Sequence, residues 1–370
     1  MKHKIIITGG HLTPAIATIE ALKEEGGWEI TYIGRKTASE GAKDPSVESE
    51  IIPQLGVTFT TIETGRLQRQ FTRHTIPSLV RFFSGCVQAY ALLGKIDPDI
   101  VVSFGGYIAL TVSIAAALRK IPIVTHEQTL TIGLSNRLIG RFASRIALSW
   151  KTSAKTEERK SVLTGLPVRR EITNPDKLPK SKFALNHHLP TLLIVGGNQG
   201  SHSINKLVIP ILKNLADHAN IIFQTGSVNT HSDYETAVGE TSTLTKPGKI
   251  HVRKYFYPGE YGAILNQADL TMGRSGANTI AELAILGKPA LLIPLPWSGG
   301  NEQEKNAQLL VNKGSVVLSQ HELTSQKLLS YILSTLKELD SFKSEANKAK
   351  DLIIPNATHN FVELIKSQCH

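Results

Sequence analysis

The chain has 370 residues, enough for two domains with substantial cores, and its formal charge of +10 implies an anionic partner: nucleic acid, a phosphorylated substrate or an acidic membrane surface. Aromatic residues make up only 6%, without RRM-like alternation with basic residues, zinc-finger spacing or a long Lys/Arg block, which sets nucleic acid aside as a partner. The two cysteines, Cys86 and Cys369, supply neither a disulfide framework nor metal-ligand spacing and point to a reducing, cytoplasmic compartment.

The amino terminus runs from two lysines into a short apolar strand, 4–8, too brief for the apolar region of a signal peptide. A glycine turn, Gly9-Gly10, follows, then His11, a helix over 14–25 and a strand over 30–33. His11 stands between the turn and Pro14, so its imidazole projects over the mouth of the first sheet. There it suits proton abstraction from a hydroxyl near neutral pH, or a hydrogen bond to phosphate; the alternative is a capping or surface histidine. Residues 65–86 hold four arginines and no acid, with Ile76, Leu79, Val80 and Phe83 at approximately helical spacing. This stretch fits an amphipathic helix on an anionic bilayer, with Arg73 and Arg81 among its basic residues, or equally a core-facing helix with a solvated basic edge.

Asp97-Pro98-Asp99 looks like a metal-binding acidic pair, but it precedes the strand 100–103 at the end away from ligand, and its proline marks a turn. No other acidic or histidine cluster suggests a cation. The uncharged run 100–118 approaches the length of a membrane span, yet Gly105-Gly106 divides it into strand, turn and helix (107–118). A strand over 121–125 ends in His126-Glu127-Gln128, which can act as acid, base or acceptor of sugar hydroxyls, or can serve structural hydrogen bonds. The alternation lapses over 168–189, a polar stretch with Pro175 and Pro179, and this is the expected domain junction.

Strands resume at 191–195, 221–224, 250–253, 270–272 and 290–293, so the fold class is α/β with two doubly wound parallel sheets facing a cleft. Ligands of such sheets lie beyond the carboxyl ends of the strands, where the turns Thr8-Gly9-Gly10, Phe104-Gly105-Gly106 and 196–201 stand. None is a G-x-G-x-x-G or Walker motif. The most informative segment is 273–294: Arg274-Ser275-Gly276-Ala277 forms a tight polar turn, residues 278–286 a helix ended by Gly287, and Glu282 lies about two turns in. Unsatisfied N–H groups at the helix start attract a pyrophosphate, and Glu282 can accept the hydroxyls of a ribose. With no cation site, a leaving pyrophosphate would rely on helix ends and basic side chains, Arg169 at the junction among them.

The ordered series TGGHLTPA, FGGY, HEQ, GLPVR, GGNQG, GRSGANTIAE and NEQEKNA resembles the MurG family, glycosyltransferases that move N-acetylglucosamine from UDP to the lipid-linked peptidoglycan precursor lipid I. The resemblance spans nearly the whole chain. It implies the GT-B arrangement of two Rossmann-like domains. Residues 1–166 with 356–370 would form the acceptor and membrane-facing domain, with the helix 356–368 crossing back to it, and 167–355 the UDP-N-acetylglucosamine domain. By resemblance the sugar nucleotide lies among Thr8, Thr129, Arg169, Gly197, Asn198, Gln199, Gly200, Phe256, Ser275, Gly276, Ala277, Asn278, Glu282 and Gln303. The acceptor lies near Gly9, Gly10, Gly105, Gly106, Tyr107, His126 and Gln128, and Ile76, Val80 and Phe83 with Arg73 and Arg81 touch the membrane. His11 is expected to be the general base of an inverting displacement and Glu127 the second candidate. No cofactor or tightly bound metal is expected. The implied location is peripheral, on the cytoplasmic face of the bacterial plasma membrane, with cell-wall synthesis proteins as further partners. The chain departs from the family pattern at Ile6 and Ile7, Thr129, Leu166, Asn198 and Glu302, which bears on sugar contacts more than on fold. A UDP-sugar epimerase or another transferase of the same fold, and a noncatalytic binder of UDP-sugar or lipid, are the rival expectations.

Overall fold

The computed structural model describes residues 2–37, 45–65, 75–151, 157–173, 183–197, 199–226, 230–242, 244–245 and 248–369. The chain divides into two compact units, 1–169 with 354–370, and 170–353.

The first unit holds seven parallel strands: β1 (His3–Thr8), β2 (Trp28–Gly34), β3 (Thr58–Thr61), β4 (Ile100–Ser103), β5 (Ile123–Glu127), β6 (Arg145–Leu148) and β7 (Ser161–Leu163), in the order β3-β2-β1-β4-β5-β6-β7. Both faces of this sheet are covered, which is why residues 5–7 of β1 and 100–102 of β4 read as continuous apolar runs rather than alternating ones. Ile5 and Ile7 of β1 pack with Ile16, Ile19 and Leu22 on one face, while Ile6 packs with Phe82, Leu93 and Val112 on the other. Strand order reverses between β1 and β4, so the ends of these two paired strands, Thr8 beside Ser103, mark a switch point where ligands of open sheets bind.

The C-terminal helix Ala357–Lys366 belongs to this unit, burying Phe361, Val362 and Ile365 in the same core as Ile5 and Ile7. Phe361 meets the rings of Phe104 and His126 edge-on, with centroids 5.6 and 5.0 Å away. A Cβ at Gly165 (φ +86°) would come within 2.7 Å of Ala357 and 2.8 Å of Ile354, so only glycine lets the returning chain approach.

The second unit repeats the plan with β8 (Thr191–Val195), β9 (Asn220–Gln224), β10 (Ile250–Arg253), β11 (Leu270–Gly273), β12 (Ala290–Leu292) and β13 (Ser315–Val317), all parallel in the order β10-β9-β8-β11-β12-β13. Its switch point lies between β8 and β11, where Val195 pairs with Gly273. Four short strands, β3, β6, β7 and β13, are absent from the periodicity reading. Each spans three or four residues, and β3 and β7 lack the uninterrupted run of buried apolar residues that marks β4 and β12. Among the described residues no helix is long and apolar enough to cross a membrane.

Candidate active site

At the first switch point two glycine loops meet through their backbones. Phe104 N donates to Thr8 O (2.8 Å) and Gly10 N to Gly105 O (3.0 Å), and a Cβ at Gly9 (φ +144°) would lie 2.7 Å from the Phe104 carbonyl carbon. His11, half-buried, is the N-cap residue of the helix Leu12–Glu25 but makes no side-chain cap bond. Its Nδ1 lies 2.9 Å from Phe104 O. A carbonyl only accepts, so Nδ1 carries the proton and Nε2 keeps its lone pair. His11 therefore does not cap its helix through its side chain, and the contact with Phe104 O orients the ring. Tyr107, in the first turn of the helix Gly106–Leu118, is half-buried against the apolar layer above this mouth.

The HEQ motif is structural. His126 is wholly buried between Phe104 and Phe361, and its Nε2 donates to Gly165 O at 3.2 Å. Burial pushes its pKa down from 6.5 to about 3, offset in part by the Gly165 carbonyl and lowered further by His11, so it is neutral at physiological pH and out of an acceptor's reach. Glu127, 3% exposed, has both oxygens taken. Oε1 accepts from Thr129 N (3.2 Å) and lies 3.0 Å from Thr129 Oγ1; Oε2 accepts from Gly133 N and Asn136 Nδ2, both at 2.9 Å. A carboxylate so engaged fixes the entry to the helix Leu134–Gly140. Gln128 donates from Nε2 toward Phe104 O (3.3 Å) and His126 O (3.2 Å), which steadies the carbonyl that holds His11. The residues expected as second base (Glu127) and as acceptor contacts (His126 and Gln128) are thus all buried, and Gln128 Oε1 is left without a partner. A central strand ends here, and Glu127 Oε1 and Oε2, His126 Nε2 and Gln128 Nε2 bond to one another's neighbours and to the backbone leaving the sheet. Thr8 is likewise committed, its buried hydroxyl donating to Ile33 O at 2.8 Å.

At the second switch point the loops after β8, β9 and β11 are crowded. A Cβ at Gly273 would collide with Val195 O and one at Gly200 (φ +86°) with Thr225 O, so these positions demand glycine. Gly197 O accepts from Gln224 Nε2 (3.0 Å), while Gln199 is exposed and Asn198 lies outside the described residues. The helix Ala277–Leu286 starts at Gly276, in extended conformation with no side-chain cap, and a Cβ there would meet nothing within 4 Å. Its first-turn N–H groups are thus open to an anion. It ends at Gly287, left-handed at φ +60°.

Several side chains expected around the sugar nucleotide turn inward. Ser275 is fully buried and donates from Oγ to Gln303 O (2.8 Å), and Gln303 Oε1 accepts from Leu295 N (3.0 Å), pinning the loop 295–303 to the turn. Phe256 is 2% exposed and packs edge-on to Phe183, so only its backbone is near the loops. Ala277 is buried at 7% exposure, Arg169 is buried at the end of the first unit, and Glu282, a cleft-facing residue by sequence, is 3% exposed. Asn278 Oδ1 is buried without a partner, an acceptor that a ligand hydroxyl or amide would satisfy. Two components escaped sequence reasoning. Asn136 bridges His126 O, Glu127 Oε2 and Thr125 Oγ1 beneath the first mouth, and Arg274 ties together the loops of the second. Nothing local marks Asn136; Arg274 was visible in the turn but had no evident target.

On the helix Thr75–Ile96, Leu79, Val80, Phe83, Val87 and Tyr90 are exposed at spacings that put them on one side, while Phe82, Ala89 and Leu93 face the core. The helix thus has a core-facing side and an exposed apolar side. Arg73 and the Ile76 side chain lie outside the described residues; Arg81 is exposed.

Paired parallel sheets of Rossmann order, each opening on a glycine-lined switch point, define the GT-B class of sugar-nucleotide enzymes. The model of the glycosyltransferase family 28 N-terminal domain matches residues 6–148 and that of the family 28 C-terminal domain residues 191–367. The chain belongs to glycosyltransferase family 28, in its branch of MurG transferases. A relative from Desulforudis audaxviator, named UDP-N-acetylglucosamine--N-acetylmuramyl-(pentapeptide) pyrophosphoryl-undecaprenol N-acetylglucosamine transferase, is 34% identical over 97% of this chain and 95% of its own. One of the same name from Clostridium perfringens is 33% identical over 100% and 99%. The crystal structure of Acinetobacter baumannii MurG superposes with a TM-score of 0.71 over 99% of this chain and 100% of that one, at 24% identity. A UDP-GlcNAc 2-epimerase from Neisseria meningitidis bound to UDP-GlcNAc gives 0.69 at 14% identity over 99% and 100%, a likeness of fold alone.

Proposed function

We infer that this protein transfers N-acetylglucosamine from UDP-N-acetylglucosamine to a sugar hydroxyl of undecaprenyl-diphosphate-linked N-acetylmuramoyl-pentapeptide, inverting the anomeric centre in one displacement. The observation that carries the mechanism is the 2.9 Å contact of His11 Nδ1 with Phe104 O beside the first glycine mouth, which in the neutral imidazole leaves Nε2 as the basic nitrogen. The acceptor oxygen attacks the anomeric carbon as Nε2 takes its proton, and the bond to the UDP oxygen breaks. The leaving diphosphate is stabilised by the amides opening the helix Ala277–Leu286. Gly197, Gln199, Gly200, Gly276 and Asn278 are the donor contacts we assign, and Arg169, Glu282 and Gln303 are assigned to the same ligand. The acceptor's diphosphate is assigned to Gly9, Gly10, Gly105 and Gly106, beside Tyr107. The reaction as proposed calls on no metal.

The exposed apolar stripe around Val80 and Phe83, on a chain of charge +10, supports peripheral attachment to an acidic bilayer, on the cytoplasmic face where the lipid-linked acceptor would be presented. The test is incubation with labelled UDP-N-acetylglucosamine and a short-chain lipid-linked acceptor. UDP release and a glycosylated lipid are expected only when both are present. Release without acceptor, or none under either condition, refutes the assignment in favour of an epimerase or a binding protein.

A further inference from the structure

Arg274 directly follows β11 and is 8% exposed. Its guanidinium faces five acceptors: from Nη1, Ile293 O (2.9 Å) and Pro294 O (3.2 Å); from Nη2, Ser201 Oγ (2.8 Å), Ser203 Oγ (2.8 Å) and Gln320 Oε1 (2.6 Å). All five are neutral, and among the described residues no carboxylate forms an ion pair with it. Burial lowers its pKa to about 10, which leaves it charged at neutral pH. Guanidinium groups taken out of water ordinarily pair with a carboxylate or phosphate, because a buried charge without a counter-ion is costly. Here the uncompensated charge stands between the residues that follow the Gly196–Gly200 loop, through Ser201 and Ser203, and the turn Ser275-Gly276 that opens the helix Ala277–Leu286.

We propose that Arg274 is the fixed counter-charge of the donor diphosphate, acting through space with the helix-start amides on the bound sugar nucleotide and on the negative charge that UDP gains as it leaves. This rests on the sugar-nucleotide reading given above. Its hydrogen bonds explain why the group stays in place; the absence of an anion among the described residues explains what the charge is for. A staple of loops alone would need only neutral donors.

Gln320→Glu separates the two roles, because it keeps an acceptor beside Nη2 while adding a negative charge. UDP and uridine are titrated calorimetrically into wild type, Gln320→Glu and Arg274→Lys, with thermal unfolding as a check on the fold. UDP affinity should fall at least about tenfold in Gln320→Glu, the order of a unit charge's effect across roughly 10 Å at an effective dielectric near 20. Uridine affinity should hold, and Arg274→Lys should keep the preference for UDP over uridine. An unchanged UDP affinity in Gln320→Glu, or equal losses for UDP and uridine, would overturn the proposal and leave a structural arginine. Wild type that binds neither ligand overturns the sugar-nucleotide reading itself.

Discussion

Replacing His126 by glutamine should remove a specific pH dependence from the stability of the first unit. The buried imidazole titrates near 3 in the folded protein and near 6.5 when exposed, chiefly because burial disfavours the cation. Above pH 6.5 it is neutral in both states. As pH falls below 6.5 the unfolded chain takes up a proton that the folded one refuses, so stability is lost progressively until about pH 3. At pH 5 the loss from this residue is about 2 kcal/mol. Glutamine can still donate to Gly165 O but does not titrate. Urea unfolding followed by tryptophan fluorescence suits the test, since Trp150 is buried in the same unit and Trp297, in the other, is 69% exposed already. The drop in unfolding free energy between pH 7.5 and pH 5 should be about 2 kcal/mol smaller in His126→Gln than in wild type. Equal drops would show that His126 is solvated or charged in the fold, and the structural account of the HEQ motif would fail.

His11→Ala should lower kcat by about 10²- to 10⁴-fold, measured at saturating substrates, while the loss of one hydrogen bond costs only about 1 kcal/mol of stability. Near-normal turnover would remove His11 as base. Phe361→Ala should destabilise the first unit by about 3–5 kcal/mol, read from the Trp150 signal, because the ring is fully buried against Phe104 and His126. Gly200→Ala, at φ +86° and facing Thr225 O, should cost about 2–4 kcal/mol in thermal unfolding and weaken UDP binding in calorimetry. Val80→Asp with Phe83→Asp should cut co-sedimentation with anionic vesicles at least about tenfold, since each apolar side chain is worth about 1.5–3 kcal/mol when buried; unchanged binding would refute the membrane role of this stripe.

The two parallel sheets, the helix after the Ser275 turn and its stop at Gly287 were legible in the residues, because strand burial on both faces and helix ends depend on local pattern and on glycine's conformational freedom. The position of His11 was legible for the same reason: a glycine turn followed by proline fixes where a helix begins. Its tautomer was not, since the deciding acceptor, Phe104 O, is 93 residues away. The inward commitment of Glu127, His126, Ser275 and Phe256 also escaped the sequence. A polar residue at a strand end serves substrate or backbone depending on which neighbours arrive, and those neighbours (Asn136, Gly165, Gln303, Phe183) come from other elements. Sequence therefore determined which loops open onto the two mouths, through short-range sterics, whereas only the folded chain decided which side chains remain available there and left Arg274 buried with no anion among the described residues, because hydrogen-bond satisfaction and burial are settled by contacts distant along the chain.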